Sequence, residues 1–171
     1  MTTDVGALLH LLEEAEPLLR EHSLQTADLL AAQRPDDLEL QVAGLLHDIG
    51  HILAPGDDAG HGDVAAGALA SMLGARVADL VRLHVPAKRY LVTVEPSYRG
   101  VLAADSTATL VVQGDAMSDD ERRRFESEAH ATDALVLRRA DDGGKVEGRD
   151  AGAVSRWRTS LQAVAMATVA P

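Results

Sequence analysis

The sequence predicts an all-α fold in a single domain, on three observations. Leucine, alanine and valine recur at helical spacing along most of the chain. Trp157, Phe125, Tyr90 and Tyr98 are the only aromatic residues other than histidine, so the core must be aliphatic, which suits closely packed helices. Clusters of Gly, Pro and Asp punctuate the helical stretches, with no repeat, low-complexity tract or linker between them, and 171 residues suffice for a full core.

Taken in order, Leu8, Leu9, Leu11 and Leu12 form a short helix that breaks near Pro17. The next helix runs from Leu18 to Gln33 and carries His22. Arg34-Pro35-Asp36-Asp37 is a turn and N-cap signal, followed by one helix from Leu38 to Leu53 that delivers His47, Asp48 and His51. APGDDAGHGD is a loop, with His61 opening a helix over Val64 to Leu73 that Gly74 closes. A further helix, Val77 to His84, should end at Pro86. AKRYLVTV fits helix or strand, and EPSYRG is a turn. Asp105 or Ser106 can cap a helix through Val112, and Ser118 to Glu121 reads as a capping box for a short helix through Phe125. Ala134 to Ala140 runs helically into Asp141 and Asp142 and stops at Gly143-Gly144, and Ala153 to Val169 is a closing amphipathic helix.

Composition narrows the function. A formal net charge of -11 argues against nucleic acid as a partner, yet a small anionic substrate needs only a few cations in a pocket. Lys88 and Lys145 are the only lysines in a chain that otherwise uses arginine, and a compact ammonium is not interchangeable with a guanidinium fork. With no cysteine, neither disulfides nor a thiolate metal site are possible, so any metal rests on His, Asp and Glu. The N-terminus has no basic segment before its apolar run, and no apolar run approaches the roughly 20 residues of a membrane span, so a soluble cytoplasmic protein with no membrane partner is expected.

The stretch most in need of explanation is GLLHDIGH, Gly44 to His51. On a helix, His47 and His51 lie one turn apart, with Asp48 about 100° round from His47. Leu45, Leu46, Ile49 and Ile52 predict burial, where an unpaired carboxylate costs several kcal/mol and a metal ion would remove that cost. His22, His47, His51, His61 and His84 all fall at helix ends or beside turns, whereas His10 and His130 match no pattern and read as surface residues.

A His, then His-Asp, then a distal Asp at Asp141 resembles the HD-domain superfamily, a helical fold of metal-dependent phosphohydrolases and some oxygenases. The resemblance implies one metal held by His22, His47, Asp48 and Asp141. His61 and His84 add a second site, with Asp48 as the bridge because a carboxylate has two oxygens and imidazole cannot bridge. Four imidazoles and two carboxylates suit iron, zinc or manganese better than magnesium.

From His84 onward HVPAKRYL, YRGVL, DSTATLVVQGDAMSDDERRRF and LVLRRADDGGKV resemble, in order and spacing, the PhnZ-type mixed-valent diiron oxygenases, which cleave carbon–phosphorus bonds and are related to myo-inositol oxygenases. The resemblance covers His22 to Lys145. It implies two iron ions (Fe2+/Fe3+), a small organophosphonate and O2 as substrates, and phosphate and a carboxylate as products; other divalent metals could occupy the protein as isolated. It also implies phosphonate contacts from Lys88, Ser106 and Arg138, and places His51 and Gln113 beside the substrate, with His51 and Lys88 in catalytic roles. A phosphonate carries up to two negative charges, which Lys88 and Arg138 would meet with charge-assisted bonds. Arg138 and Arg139 could equally form a salt-bridged helix face with Asp133 or Asp142.

The chain departs from that pattern in two places. Relatives acting on aminoethylphosphonates carry a tyrosine and a glutamate before the first histidine, where this chain reads LLEEAEPLLREH, with Glu16 one residue nearer His22 and no aromatic. The family's QGG is Gln113-Gly114-Asp115 here. The expected architecture is a single HD domain over 1–171, its metal-site core spanning about 18–145 and a C-terminal helix over 153–169 packed on it. A phosphohydrolase acting on a small phosphate ester through a metal-bound hydroxide is the alternative. A non-catalytic domain with a vestigial site is disfavoured by the complete set of six ligands.

Overall fold

A computed structural model describes residues 4–169, and the described residues contain helices and turns but no strand. Helix α1 (Val5–Glu13) is capped by Asp4, whose carboxylate accepts from the Ala7 N–H, and α2 (Pro17–Gln33) places Pro17 at its first turn, where a missing N–H costs nothing. Asp37 caps α3 (Leu38–Leu46) through the Leu40 N–H.

The expected single helix over 38–53 does not form. Residues 47–49 turn, with Ile49 N–H bonded to the Leu46 carbonyl at 3.1 Å, His51 N–H to Asp48 at 3.0 Å and Ile52 N–H to Ile49 at 3.0 Å, before the short α4 (Gly50–Leu53). Three-residue spacing replaces the expected four. Asp48 therefore lies under His51 instead of a hundred degrees away from a shared histidine face.

Helix α5 (His61–Val94) is the centre of the molecule. It bends at Gly74, whose φ of 86° suits glycine, so the predicted break is a kink between two helical segments. Pro86 does not end the helix. It removes one N–H bond, but Leu80, Val81, Leu83, Ala87 and Leu91 are buried on both sides of it, and packing overrides the local penalty. AKRYLVTV is consequently helical, and Lys88 stands one turn beyond His84 on the same helix. By length and composition α5 could cross a bilayer, unlike any run anticipated above; here it packs against α3 and the two closing helices described next.

After a 3-10 turn over Tyr98–Val101, α6 (Ala104–Val112) starts at Ala103 with no side-chain cap, so neither Asp105 nor Ser106 serves as the cap. α7 (Asp119–Glu126) has the expected capping box between Ser118 and Glu121. α8 (Ala131–Gly143) carries Arg138 and Asp141, and α9 (Arg158–Val169) follows a 3-10 turn over Val154–Trp157. Leu24, Leu30, Leu45, Leu46, Leu69, Leu80, Leu137 and Leu161 are among the side chains that fill the space between α2, α3, α5, α8 and α9. That aliphatic core brings the N-terminal half of α2, the end of α3, both parts of α5 and the end of α8 to one cavity.

Candidate metal centre

Four histidines turn their Nε2 atoms toward one point. His22 Nδ1 donates to the Gly144 carbonyl at 3.0 Å, His47 Nδ1 to Gly44 at 2.7 Å, His61 Nδ1 to Asp58 at 2.9 Å and His84 Nδ1 to Val81 at 2.6 Å. A carbonyl oxygen only accepts, so each Nδ1 carries a proton, and once Nε2 is deprotonated, as metal ligation requires, it presents a lone pair. Those lone pairs face one another, His22 to His47 at 3.1 Å and His61 to His84 at 2.9 Å. Neither pair can form a hydrogen bond in this tautomer. Backbone carbonyls orienting imidazoles in this way are the outer support of a metal site.

Asp48 divides its two oxygens between the pairs. Oδ2 lies 3.5 Å from His22 Nε2 and 3.3 Å from His47 Nε2, and Oδ1 lies 3.5 Å from His61 Nε2 and 3.6 Å from His84 Nε2. Asp141 closes the first group, its Oδ1 at 3.2 Å from His22 and its Oδ2 at 3.7 Å from His47. Asp141 Oδ1 is also buried with no hydrogen-bond partner, which leaves it open to a cation. His22, His47 and Asp48 form one candidate ligand group, and Asp48, His61 and His84 another. The donor set fits a first-row transition metal.

The electrostatics agree with the geometry. Burial would raise the Asp48 carboxyl, but His47 and the other imidazoles hold it well below the usual range; Arg138, His47 and His22 do the same for the buried Asp141. Burial pulls His47 down, and the Asp48 and Asp141 carboxylates outweigh it and bring that imidazole up to about 9, so at neutral pH its Nε2 holds a cation, either a proton or the metal that displaces it. Burial, joined by His47 and His61, brings His84 down to about 4 and keeps it neutral. Two ionised carboxylates, Asp141 buried and Asp48 partly so, thus lie among groups best able to share a cation.

Chain constraints hold these groups in place. A Cβ on Gly50 would collide with the backbone carbonyl of His61, so the start of α5 rests directly on α4 and brings His61 to Asp48. His51 stacks on His61 with ring centroids 4.0 Å apart, its Nδ1 at 3.7 Å from Asp58 and its Nε2 at 3.9 Å from Asp48 Oδ1. It borders the cavity outside both ligand groups. Burial lowers its pKa.

The cavity, about 710 Å³, opens beside the candidate ligands and is lined by Lys88, Ser106, Gln113, Arg138 and Lys145 among others. Lys88 is buried, donating to the Ser106 carbonyl at 3.2 Å and Thr109 Oγ1 at 3.1 Å; burial, and then Arg138 nearby, bring its ammonium down to about 8. Arg138 is buried and paired with Asp141 at 2.6 Å and with Asp142, and its Nε donates to Tyr98 Oη at 3.1 Å. Arg138 thus lines the cavity while gripping the acids of its own helix, and Arg139 pairs with Glu95 instead. Gln113 Nε2 donates to the Asp58 carbonyl at 2.9 Å, leaving Oε1 unpartnered.

Lys145 also lines the cavity, a residue to which the sequence assigns no role. Its signal was present, because it is one of two lysines and closes LRRADDGGK. His10 is exposed, and the half-buried His130 lies 4.0 Å from Asp79 and belongs to neither candidate ligand group. Glu16 lines the cavity, and no tyrosine does.

Comparison with known proteins bears on this site. The HD domain family matches residues 19–142. Hydroxymethylphosphonate dioxygenase of Gimesia maris is 36% identical over 151 residues, covering 83% of this chain and 75% of the relative. The [1-hydroxy-2-(trimethylamino)ethyl]phosphonate dioxygenase (glycine-betaine-forming) of Leisingera caerulea is 34% identical over 139 residues, covering 76% and 70%.

Proposed function

The chain belongs to the HD-domain family, in the branch that holds the phosphonate dioxygenases, and from that premise we propose that it uses O2 to cleave the carbon–phosphorus bond of a small 1-hydroxyphosphonate. Metal binding is common to the family and suits this donor set; two iron ions bridged by Asp48 are our reading of its occupancy. The observation that carries the proposal is the adjacency of two halves: an Asp48 carboxylate shared between two histidine pairs, opening onto a cavity with Lys88, Ser106 and Arg138 in its lining.

His22, His47, Asp48 and Asp141 would hold one iron, and Asp48, His61 and His84 the other. Iron held there would supply the one-electron and O2 chemistry that no side chain here can provide. The protein's own part is to bind and orient. Lys88 and the N–H groups of Arg138 left free by Asp141, Asp142 and Tyr98 draw in the phosphonate, while Ser106 holds it laterally. This sets the substrate's hydroxyl carbon toward the histidine cluster. His51, kept neutral by its lowered pKa, can accept the hydroxyl proton, with Asp58 steadying its other nitrogen. Gln113 lines the cavity beside the substrate position, its Nε2 held by the Asp58 carbonyl. For hydroxymethylphosphonate the balance is one substrate and one O2 to one formic acid and one phosphoric acid. All four electrons that reduce oxygen come from substrate carbon and the broken bond, so no external reductant is consumed.

The test compares phosphate release by the iron-loaded protein from hydroxymethylphosphonate and from small phosphate esters, in air and under nitrogen. Release from the phosphonate in air alone is the expected result. Release from esters under nitrogen, with none from any phosphonate, would establish the phosphohydrolase instead.

A further inference from the structure

Resting on the phosphonate reading of the cavity, we propose that Lys145 is a third cationic contact to the substrate headgroup, working with Ser106 to favour its dianionic form. Lys145 Nζ donates to Ser106 Oγ at 2.7 Å, and the carbonyl of the same serine accepts from Lys88 at 3.2 Å. The two lysines of the chain thus converge on one buried residue.

The backbone around Lys145 is built to hold it there. Gly144 lies so close to α2 that a Cβ would come 3.0 Å from the Thr26 backbone nitrogen, and its carbonyl takes the His22 Nδ1 proton. On the other side, the buried Gln25 accepts from the Val146 N–H at 3.0 Å and donates to the Val146 carbonyl at 2.9 Å and the Arg149 carbonyl at 3.1 Å. Lys145 is therefore pinned at the residue before it and the residue after it, a restraint that an ordinary surface lysine lacks.

Charge gives the site its preference. Arg138 is matched by Asp141 and Asp142, but Lys88 has no carboxylate within ion-pair distance among the described residues. Lys145 has only Asp141, at 3.7 Å, a carboxylate committed to the candidate metal. Lys88 feels Arg138 and Lys145 as repulsive neighbours. Two ammonium groups flanking a serine, one buried and one 28% exposed on its side chain, are left for a ligand bearing two negative charges. A carboxylate or a phosphate diester brings one.

Inorganic phosphate is the probe, because it is the expected product and its binding to the metal-loaded full chain is measured without turnover. Calorimetric titrations at pH 6 and pH 8 compare wild type, Lys145→Gln and Lys145→Arg. Wild type should bind more tightly at pH 8, where the dianion prevails. Lys145→Gln should bind roughly tenfold more weakly at pH 8 and lose most of that pH preference, while Lys145→Arg restores it in part. With hydroxymethylphosphonate the glutamine variant should raise KM more than it lowers kcat. Undiminished phosphate affinity in Lys145→Gln, at unchanged metal content, would overturn the assignment, and so would an equal loss at both pH values that arginine does not restore. Oxygen-dependent turnover retained alongside undiminished phosphate binding would reject Lys145 alone; loss of phosphate affinity in a protein with no oxygenase activity would reject the reaction and keep the anion site.

Discussion

Asp48 is the residue on which the site turns, with one oxygen toward His22 and His47 and the other toward His61 and His84. If it bridges two metals, removing a ligand from one side should empty that side alone. His61→Ala should lower iron content from about two per chain to about one, counted by elemental analysis against protein concentration. Unchanged stoichiometry would show that His61 holds no metal. Lys88 gives a prediction in pH. Burial brings its ammonium down to about 8, so below that pH it carries its charge and above it the charge is lost. KM for the phosphonate should therefore rise as pH passes upward through about 8, a limb distinct from any loss of affinity at low pH as the substrate itself gains a proton. In Lys88→Ala, KM should be raised about tenfold or more at neutral pH and the alkaline limb should vanish. A limb that persists in the variant would belong to another group.

At the level of elements, the end of α3 and the kinked α5 do most to create the site. Gly50 lets α4 lie against the His61 carbonyl, and any side chain there must push the two apart. Gly50→Ala should cost about 2 kcal/mol or more in a denaturant or thermal melt and loosen metal binding at His61 and His84. An unchanged melting curve would mean that the contact relaxes freely. Most helix ends were legible beforehand because their signals are local: Asp37, Ser118 with Glu121, and Gly143-Gly144 each act within one turn. The two misread elements depend on distant packing. Nothing in Leu46-His47-Asp48-Ile49 announces a switch to three-residue spacing, and the turn forms where Gly50 meets a residue 11 positions later. Pro86 is a valid local stop signal overruled by the buried aliphatic residues around it.

On the scale of the whole molecule, the chain gathers its few special residues into one place. Its net charge is -11, yet both lysines and Arg138 line a single cavity beside the histidine cluster. The convergence of His22, His47, His61 and His84 with Asp48 and Asp141 was legible because HD spacing, helix-end placement and the downstream LRRADD agree. Lys145 was not placed, since its position is set by Gln25 more than a hundred residues upstream, a contact that no local pattern encodes. Gathering two ionised carboxylates, one of them buried, among four imidazoles beside a cationic cavity is costly for a passive helical bundle and explicable for one that carries metal and takes an anion. The most direct measurement of that account is the stoichiometry of O2 consumed to phosphate released from hydroxymethylphosphonate by the iron-loaded protein, with no reductant added. The account predicts one to one, with formate equal to both; phosphate released without oxygen uptake would contradict it.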